Sequence, residues 1–262
     1  MGALTASRFV GDLADTLRFL TRLPIGGEGR APDFRRIGWA APLVGALVGA
    51  IGAVALVAAR GVGFPGLMSA TLAVAVQVAL TGALHEDGLA DVADGFGGGR
   101  DREAKLAILR DSRIGTYGAV ALILALLLRI EAIGALSRLS LGFASTGLIL
   151  AGAVSRAAAL APLVWLPPAR SDGLGASVGP LGVQALRPVA AVMTGLAVAL
   201  GLLSLEIVRA LFACLAAAAA ARLLVALARR QIGGQTGDVC GAAAALGEIV
   251  ALMALLIGGR DA

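Results

Sequence analysis

The sequence predicts an all-α, polytopic integral membrane protein, and its hydropathy and charge pattern carry that prediction. The 262 residues are 58% hydrophobic with a mean hydropathy of +0.90, and 15% are charged. Soluble domains carry about a quarter charged residues. Between Arg36 and Arg60, and again between Arg60 and His85, no charged residue occurs over the roughly 20 positions that a helix needs to cross a bilayer. These two stretches are the clearest spans, and they exclude a soluble globular protein.

An amphipathic helix is predicted before the first span. Within residues 4–20, apolar side chains recur every three or four positions, and the charged residues lie away from that stripe. The stripe consists of Phe9, Leu13, Leu17 and Leu20. This pattern is typical of a helix that lies on a membrane surface. Residues 23–36 are rich in Gly and Pro, so we expect them to connect this helix to the first span.

Five further spans are predicted, each weaker because a charge interrupts or borders it. They are Ile114 to Leu136, Leu139 to Trp165, Pro188 to Leu205, Ile207 to Leu227 and Val239 to Ile257. The count is about seven spans, with six as the alternative. No segment has the size or polarity of a separate soluble domain, so residues 1–262 are interpreted as one membrane-embedded domain. The lipid bilayer is the expected partner, no nucleic acid is expected, and a homo-oligomer is left open.

The basic residues predict the orientation in the membrane. If the N-terminus is cytoplasmic, most of them fall in the N-terminal segment and in connections around 85–113, 166–187 and 222–238. Only Arg60, Arg129, Arg138, Arg209 and Arg260 are then outside, and Arg156 lies within a span. Positive charge favours the cytoplasmic side. We therefore expect a multi-pass protein of the cell inner (cytoplasmic) membrane whose acidic segment, residues 85–113, faces the cytoplasm.

The acidic segment carries the strongest chemical signal. Asp87, Asp91 and Asp94 have the spacing i, i+4, i+7, which places three carboxylates on one face of a helix. Like charges at this spacing repel each other, so a cation is expected to offset them. Mg²⁺ prefers oxygen ligands and commonly binds through one or two carboxylates together with substrate phosphates. The spacing therefore predicts a magnesium site.

Glycines and a histidine flank these aspartates. The run Gly95 to Gly99, which includes Gly97 and Gly98, is expected to end the helix and to let backbone N–H groups approach an anion. His85 is interpreted as a general base, a metal ligand or a residue that hydrogen-bonds locally. A solvated cytoplasmic loop is the alternative interpretation of the whole segment.

Three more polar sites follow along the chain. Residues 100–113 predict a second amphipathic helix, after which Arg113 could hold a phosphoryl oxygen bidentately. Ser155-Arg156 interrupts an apolar span, and a charge within the bilayer implies a partner or a function, with snorkelling as the alternative. The turn from Gly233 to Asp238 precedes the last span, where Asp238 could complete the metal site or the turn could simply cap a helix.

At these residues the chain resembles the cobalamin synthase family. The family pattern His, any residue, Asp-Gly-Leu-Ala-Asp, any residue, Ala-Asp-Gly is present from His85 to Gly95. Further matching elements are Asp111 to Thr116, Ser155-Arg156, Gly233 to Asp238, Thr21 to Pro24 and Pro42 to Gly45. Glu86 departs from the pattern, since an apolar residue is expected there, and it could add a peripheral carboxylate.

The resemblance implies an Mg²⁺-dependent reaction late in cobalamin (vitamin B12) biosynthesis. In this reaction adenosylcobinamide-GDP combines with alpha-ribazole, or its 5′-phosphate, to give adenosylcobalamin, or its 5′-phosphate, and GMP. The hypothesis assigns metal binding to Asp87, Asp91, Asp94 and Asp238, and proton acceptance to Asp94 or His85. It assigns substrate contacts to Gly97, Gly98, Asp111, Ser112, Arg113, Arg156 and Thr236.

Two other function classes are weighed against this one. CDP-alcohol phosphotransferases also use clustered aspartates on membrane helices, but they expect Ala-Arg after Asp-Gly, and Ala90-Asp91 does not fit. A transporter would more naturally place acids in the middle of the bilayer and show inverted repeats, and the sequence shows neither feature.

Overall fold

The computed structural model describes residues 6–26, 33–178 and 180–257, and every regular element within them is helical. The helices are α1 (Ala6–Leu20), α2 (Phe34–Ile37), α3 (Ala41–Gly61), α4 (Gly66–Thr81), α5 (Leu84–Gly98), α6 (Arg102–Ile108), α7 (Thr116–Leu139), α8 (Leu141–Ala158), α9 (Ala161–Trp165), α10 (Gly173–Val178), α11 (Leu186–Leu200), α12 (Ile207–Ile232) and α13 (Gly237–Leu256). The predicted all-α class is confirmed. Part of the predicted connector, residues 27–32, lies outside the described residues.

Within the described residues, six helical segments are long and apolar enough to cross a membrane. They are Phe34–Gly61, Thr116–Leu139, Leu141–Trp165, Val183–Leu205, Ile207–Ile232 and Gly237–Leu256. Each corresponds to a predicted span, although the last turns differ. A seventh crossing exists if α4 and α5 are counted together. The count of six to seven therefore agrees with the sequence.

The predicted second span, between Arg60 and His85, is broken. Helix α4 contains only 16 residues, and α5 leaves it at an angle of 89°. The break occurs where Gly82 and Ala83 both adopt left-handed backbone angles, with φ of 65° and 59°. Such angles favour glycine, and they terminate a helix. The bend turns the aspartate-bearing helix α5 away from the line of α4.

Glycines set the closest crossing in the bundle, between α3 and α8. A Cβ on Gly45 would collide with the backbone carbonyl of Gly152, and one on Gly49 would collide with that of Leu148. Small residues let two helix backbones approach in this way, where dispersion contacts hold helices together in a bilayer. Because Gly45 faces Gly152 and Gly49 faces Leu148, α3 and α8 are antiparallel.

Helix α1 forms as predicted, but its apolar stripe, apart from the exposed Phe9, packs against the protein. Leu20 is buried, and Leu13 and Leu17 contact a cluster that contains Phe34 and Val44. Its polar face is also fixed, because buried Asp12 accepts a hydrogen bond from Trp39. The helix was expected to face lipid with this stripe. The short α2 and the start of α3 offer it an apolar surface instead.

Candidate active site

Helix α5 and the first turn of α13 bring acidic residues from distant parts of the chain together. A Cβ on Gly88 would lie 2.7 Å from the carbonyl oxygen of Asp238 and 3.0 Å from the Cα of Gly241. Only a glycine at this position permits such close packing of the two helices. Asp87 is exposed, whereas Asp91 and Asp238 are partly buried. The sequence predicted that Asp238 would meet the α5 carboxylates, and the two helices do cross here.

Asp91 is partly buried and lies within electrostatic range of the other acids. The negative charges of Asp87, Asp238 and Asp94 all act on its carboxylate, and Arg170 is the opposing positive charge. Carboxylates this close repel one another, and a bound cation would relieve the repulsion. The group of Asp87, Asp91 and Asp238 is called the acidic cluster below.

Asp94 differs from its neighbours because backbone groups occupy both of its oxygens. The carboxylate accepts hydrogen bonds from the N–H of Gly115, at 2.7 Å, and from that of Gly118, at 2.9 Å. A Cβ on either glycine would collide with the carboxylate. A negative charge also suits the start of a helix, where N–H groups lack partners. Asp94 therefore joins α5 to the first turn of α7.

The glycine run does not form the predicted turn. The run ends helix α5 as predicted, but only at Gly98, so Gly95 to Gly98 are helical and the prediction of a turn there is wrong. The glycines make room for neighbours: a Cβ on Gly97 would press into the ring of Tyr117, and one on Gly99 would collide with Lys105. Backbone N–H groups within a helix are already paired. Close packing of α6 and α7 on α5 explains this run.

The second amphipathic helix is shorter than the predicted 100–113, since α6 covers only Arg102–Ile108. Beyond it, Arg113 is 86% exposed and forms a fork of hydrogen bonds with Asp111. These bonds lower the pKa of the Asp111 carboxyl to about 2. Ser112 between them is exposed. In this structure the two charged side chains neutralise each other on a surface loop.

His85 and Arg156 line a cavity of about 110 Å³ beside the acidic cluster. Both side chains are buried, with 5% and 2% exposure. The start of α13 forms one wall through Gly237 and Gly241. The opposite side is closed by apolar side chains of the N-terminal segment, namely Phe19, Leu20 and Phe34.

A buried ionic network lies behind this cavity. Arg156 is 3.4 Å from Glu248, which is also 2.7 Å from Arg129. Arg129 further contacts Glu86 at 2.8 Å and Gln77 at 3.0 Å. Two arginines and two glutamates thus balance their charges. Charged groups within a membrane protein are expected to be paired in this way.

This network shows that the positions predicted for Arg129 and Glu86 were wrong. Arg129 was assigned to the outer connections, but it is buried within α7 at 6% exposure. Glu86 was expected to be a peripheral carboxylate, and it is the partner of that arginine. A single charge in an apolar span gives no sign of its partner, since the partner lies on another helix.

The turn from Gly233 to Asp238 is both a helix cap and part of the site. The Thr236 hydroxyl accepts a bond from the N–H of Val239, and it lies 3.0 Å from Asp238. Gln235 pairs through its backbone with Pro167 and Ala169, both at 2.9 Å. The loop after α9 is thereby fixed beside the acidic cluster.

Sequence reasoning missed Arg170, which lies on this loop next to the acidic cluster. Its Nη2 atom lies 3.8 Å from the Asp238 carboxylate, and its side chain is 18% exposed. The only sequence signal was its place in a basic connection, around 166–187. Its proximity to the acids depends on the backbone pairing with Gln235, which the sequence does not reveal.

The acidic cluster offers oxygen donors to a divalent metal. Within residues 6–26, 33–178 and 180–257, no three His, Cys, Asp or Glu side chains already form a group that could hold a metal ion. Mg²⁺ does not require such a group, because it keeps several waters and binds substrate phosphates with one or two carboxylates. The all-oxygen, mutually repelling acidic cluster fits this mode of binding.

Comparisons with known proteins extend over the whole chain. A protein-family model described as cobalamin-5-phosphate synthase matches residues 12–256. A relative from Azorhizobium caulinodans, named adenosylcobinamide-GDP ribazoletransferase, is 47% identical, with 97% of this chain and 98% of the relative covered. Relatives of the same name from Bradyrhizobium diazoefficiens and Xanthobacter autotrophicus are 44% and 47% identical, with at least 95% of each chain covered. No solved structure matches the chain.

Proposed function

The chain belongs to the cobalamin-5-phosphate synthase family, and on this premise we propose that it is an adenosylcobinamide-GDP ribazoletransferase. The substrates are adenosylcobinamide-GDP and alpha-ribazole or its 5′-phosphate, and one product is GMP. The single observation that carries the chemistry is the meeting of Asp87, Asp91 and Asp238 from two helices at one end of the bundle. Clustered carboxylates beside buried cationic side chains suit the transfer of a phosphoryl group.

The bond changes of this reaction define what the site has to do. A ribazole hydroxyl oxygen forms a bond to the phosphorus on the corrinoid side of the diphosphate. The bond between that phosphorus and the bridging oxygen breaks, and the bridging oxygen leaves with GMP. The hydroxyl proton needs an acceptor. Little covalent chemistry falls to the protein, so positioning and charge stabilisation dominate catalysis.

We propose that Asp87, Asp91 and Asp238 hold Mg²⁺, which would neutralise charge on the diphosphate and the departing GMP. Their mutual repulsion supports this assignment. Asp94 remains a predicted ligand, although both of its oxygens accept backbone hydrogen bonds. Because these hydrogen bonds occupy the Asp94 carboxylate, His85 is the favoured acceptor of the hydroxyl proton.

Arg156 is proposed to orient a non-bridging oxygen from within the cavity that it shares with His85. Glu248 and Ser155 hold its guanidinium in place. Arg113 is the second predicted phosphate ligand, and it would have to leave Asp111 to reach substrate. The charge pattern supports a cytoplasmic position of this end in the inner membrane.

The test is the release of GMP by purified protein in detergent, supplied with both substrates. Release that requires alpha-ribazole and Mg²⁺ is the expected result. A protein that moves an ion or a corrinoid across vesicles without releasing GMP would contradict the proposal. Release with Mg²⁺ removed by a chelator would contradict only the metal assignment.

A further inference from the structure

Arg170 has no task in the reaction described above, yet the fold fixes it beside the acidic cluster. The loop that carries it is paired to the turn before α13 through Pro167, Ala169 and Gln235. Arg102 secures the same loop by donating to the carbonyl oxygen of Ala169. The backbone at Arg170 is therefore held from two sides.

Among the described residues, the guanidinium of Arg170 has only distant partners. It lies 3.8 Å from Asp238 and 3.7 Å from Asp172, whereas strong charge-assisted hydrogen bonds measure about 2.7–2.9 Å. Asp172 is already bound at 2.8 and 3.0 Å by Arg110. The Nη1 atom of Arg170 is buried and finds no hydrogen-bond partner among the described residues.

A buried donor without a partner costs free energy, so a ligand that lets the guanidinium of Arg170 turn toward an acceptor would be stabilised. The charge of Arg170 acts on both Asp91 and Asp238, which places the guanidinium within electrostatic range of the proposed metal ligands. A guanidinium pairs best with an anion that offers two oxygens in its plane. Phosphate groups offer that arrangement, and arginine matches it bidentately.

We infer that Arg170 binds the diphosphate of the nucleotide substrate directly. The inference rests on the proposed function and extends it, because it adds a substrate ligand from the loop after α9. In the free protein Arg170 stays near Asp238, and on binding its partly exposed guanidinium turns so that its nitrogens donate to phosphate oxygens. A fixed loop keeps the entropic cost of this contact low.

The experiment measures GDP binding to the purified full-length protein in detergent by calorimetry, at saturating Mg²⁺. Arg170→Met should weaken binding about 10- to 100-fold, the range for hydrogen bonds to charged groups. Arg170→Lys keeps the charge but loses the fork, so its loss should be smaller. The KM for adenosylcobinamide-GDP should rise in the same order.

Arg110→Met is the matched control, since Arg110 contacts the same Asp172 but is exposed. Its GDP affinity should stay within about twofold of wild type, as for surface ion pairs. Equal affinity of wild type and Arg170→Met, or an equal loss in Arg110→Met, would overturn the inference. A third outcome would also overturn it: Arg170→Met binds Mn²⁺ more weakly than wild type in the absence of nucleotide, but binds GDP normally at saturating Mn²⁺. In that case Arg170 would only position Asp238.

The two proposals fail in different ways. A wild-type protein that binds GDP through Arg170 but releases no GMP from its substrates contradicts the transferase proposal alone. A wild-type protein that releases GMP, with unchanged GDP binding in Arg170→Met, contradicts the inference alone.

Discussion

Asp91 and Asp94 are three residues apart on one helix, but they have different environments. Asp94 is buried and bound to two backbone N–H groups, whereas Asp91 is partly exposed and surrounded by other acids. A spacing pattern treats both as equivalent carboxylates on one face. The difference arises because the start of α7 covers Asp94 and leaves Asp91 open.

Asp91→Asn should therefore abolish activity without unfolding the protein. The change removes a charge that would bind the metal, so GMP release should fall on the order of 100-fold or more. It also relieves repulsion within the acidic cluster, so the melting temperature in metal-free buffer should stay the same or rise. GMP release and thermal unfolding measure the two effects. A lower melting temperature would show that Asp91 is structural.

Asp94→Ala should lower the stability of the protein, in contrast to Asp91→Asn. It leaves the N–H groups of Gly115 and Gly118 without acceptors, and each such loss costs about 1–3 kcal/mol. Thermal unfolding should show a clear loss of stability, in contrast to Asp91→Asn. If Asp94→Ala melts like wild type, the backbone bonds contribute little.

At the scale of elements, the ionic network couples five helices. Gln77, Glu86, Arg129, Arg156 and Glu248 come from α4, α5, α7, α8 and α13 respectively. The helix that carries the acids is thereby attached to the helix that carries Arg156. The sequence predicted the spans but not this attachment, since each charge looks isolated along the chain.

Arg129→Leu should destabilise the bundle by about 3–5 kcal/mol, because breaking a buried ion pair leaves uncompensated charge. Thermal or denaturant unfolding in detergent measures this loss. Arg138→Leu is the control, since Arg138 forms an exposed pair with Glu131, which is worth about 0–1 kcal/mol. The double variant Glu86→Leu, Arg129→Leu should be more stable than Arg129→Leu alone, because it removes one of the carboxylates left without a partner. Equal stability of the two single variants would contradict the network's role.

The sequence predicted which segments are helical, but it did not predict positions that depend on contacts between distant segments. Apolar length predicted the spans, and helical spacing predicted the acid face of α5. The glycine run ends α5 as predicted, but the sequence did not reveal that Tyr117 and Lys105 require glycines at 97 and 99 for close packing. Arg170 was missed because its position depends on pairing between two loops far apart in sequence.

At the scale of the molecule, the site elements gather at one end of the bundle. The start of α7 meets Asp94 at this end, while its last turns pack near the start of α4, where Leu67 contacts Gly134. The loop that contains Ser112 and the loop that contains Val62 are therefore at opposite ends. The orientation prediction assigns the first of these loops to the cytoplasm.

Cysteine labelling tests this orientation in a variant in which Cys214 and Cys240 are both replaced by Ala. Ser112→Cys should react with an impermeant maleimide only in inside-out vesicles, since positive charge favours the cytoplasmic side. Val62→Cys, where the native side chain is 73% exposed, should react only in right-side-out vesicles. The reverse labelling pattern would place the acidic end outside.

The bend between α4 and α5 leaves polar backbone at a place that lipid cannot satisfy. A helix of 16 residues rises about 24 Å, less than the roughly 30 Å of a hydrocarbon core. The polar backbone of the bend therefore has to be covered by protein rather than by lipid. The segment after α1 supplies this cover, because Arg22 donates its backbone N–H to the carbonyl oxygen of Leu80 and its side chain fills the space beside Gly82. The N-terminal segment thus shields the joint from which the acid-bearing helix departs.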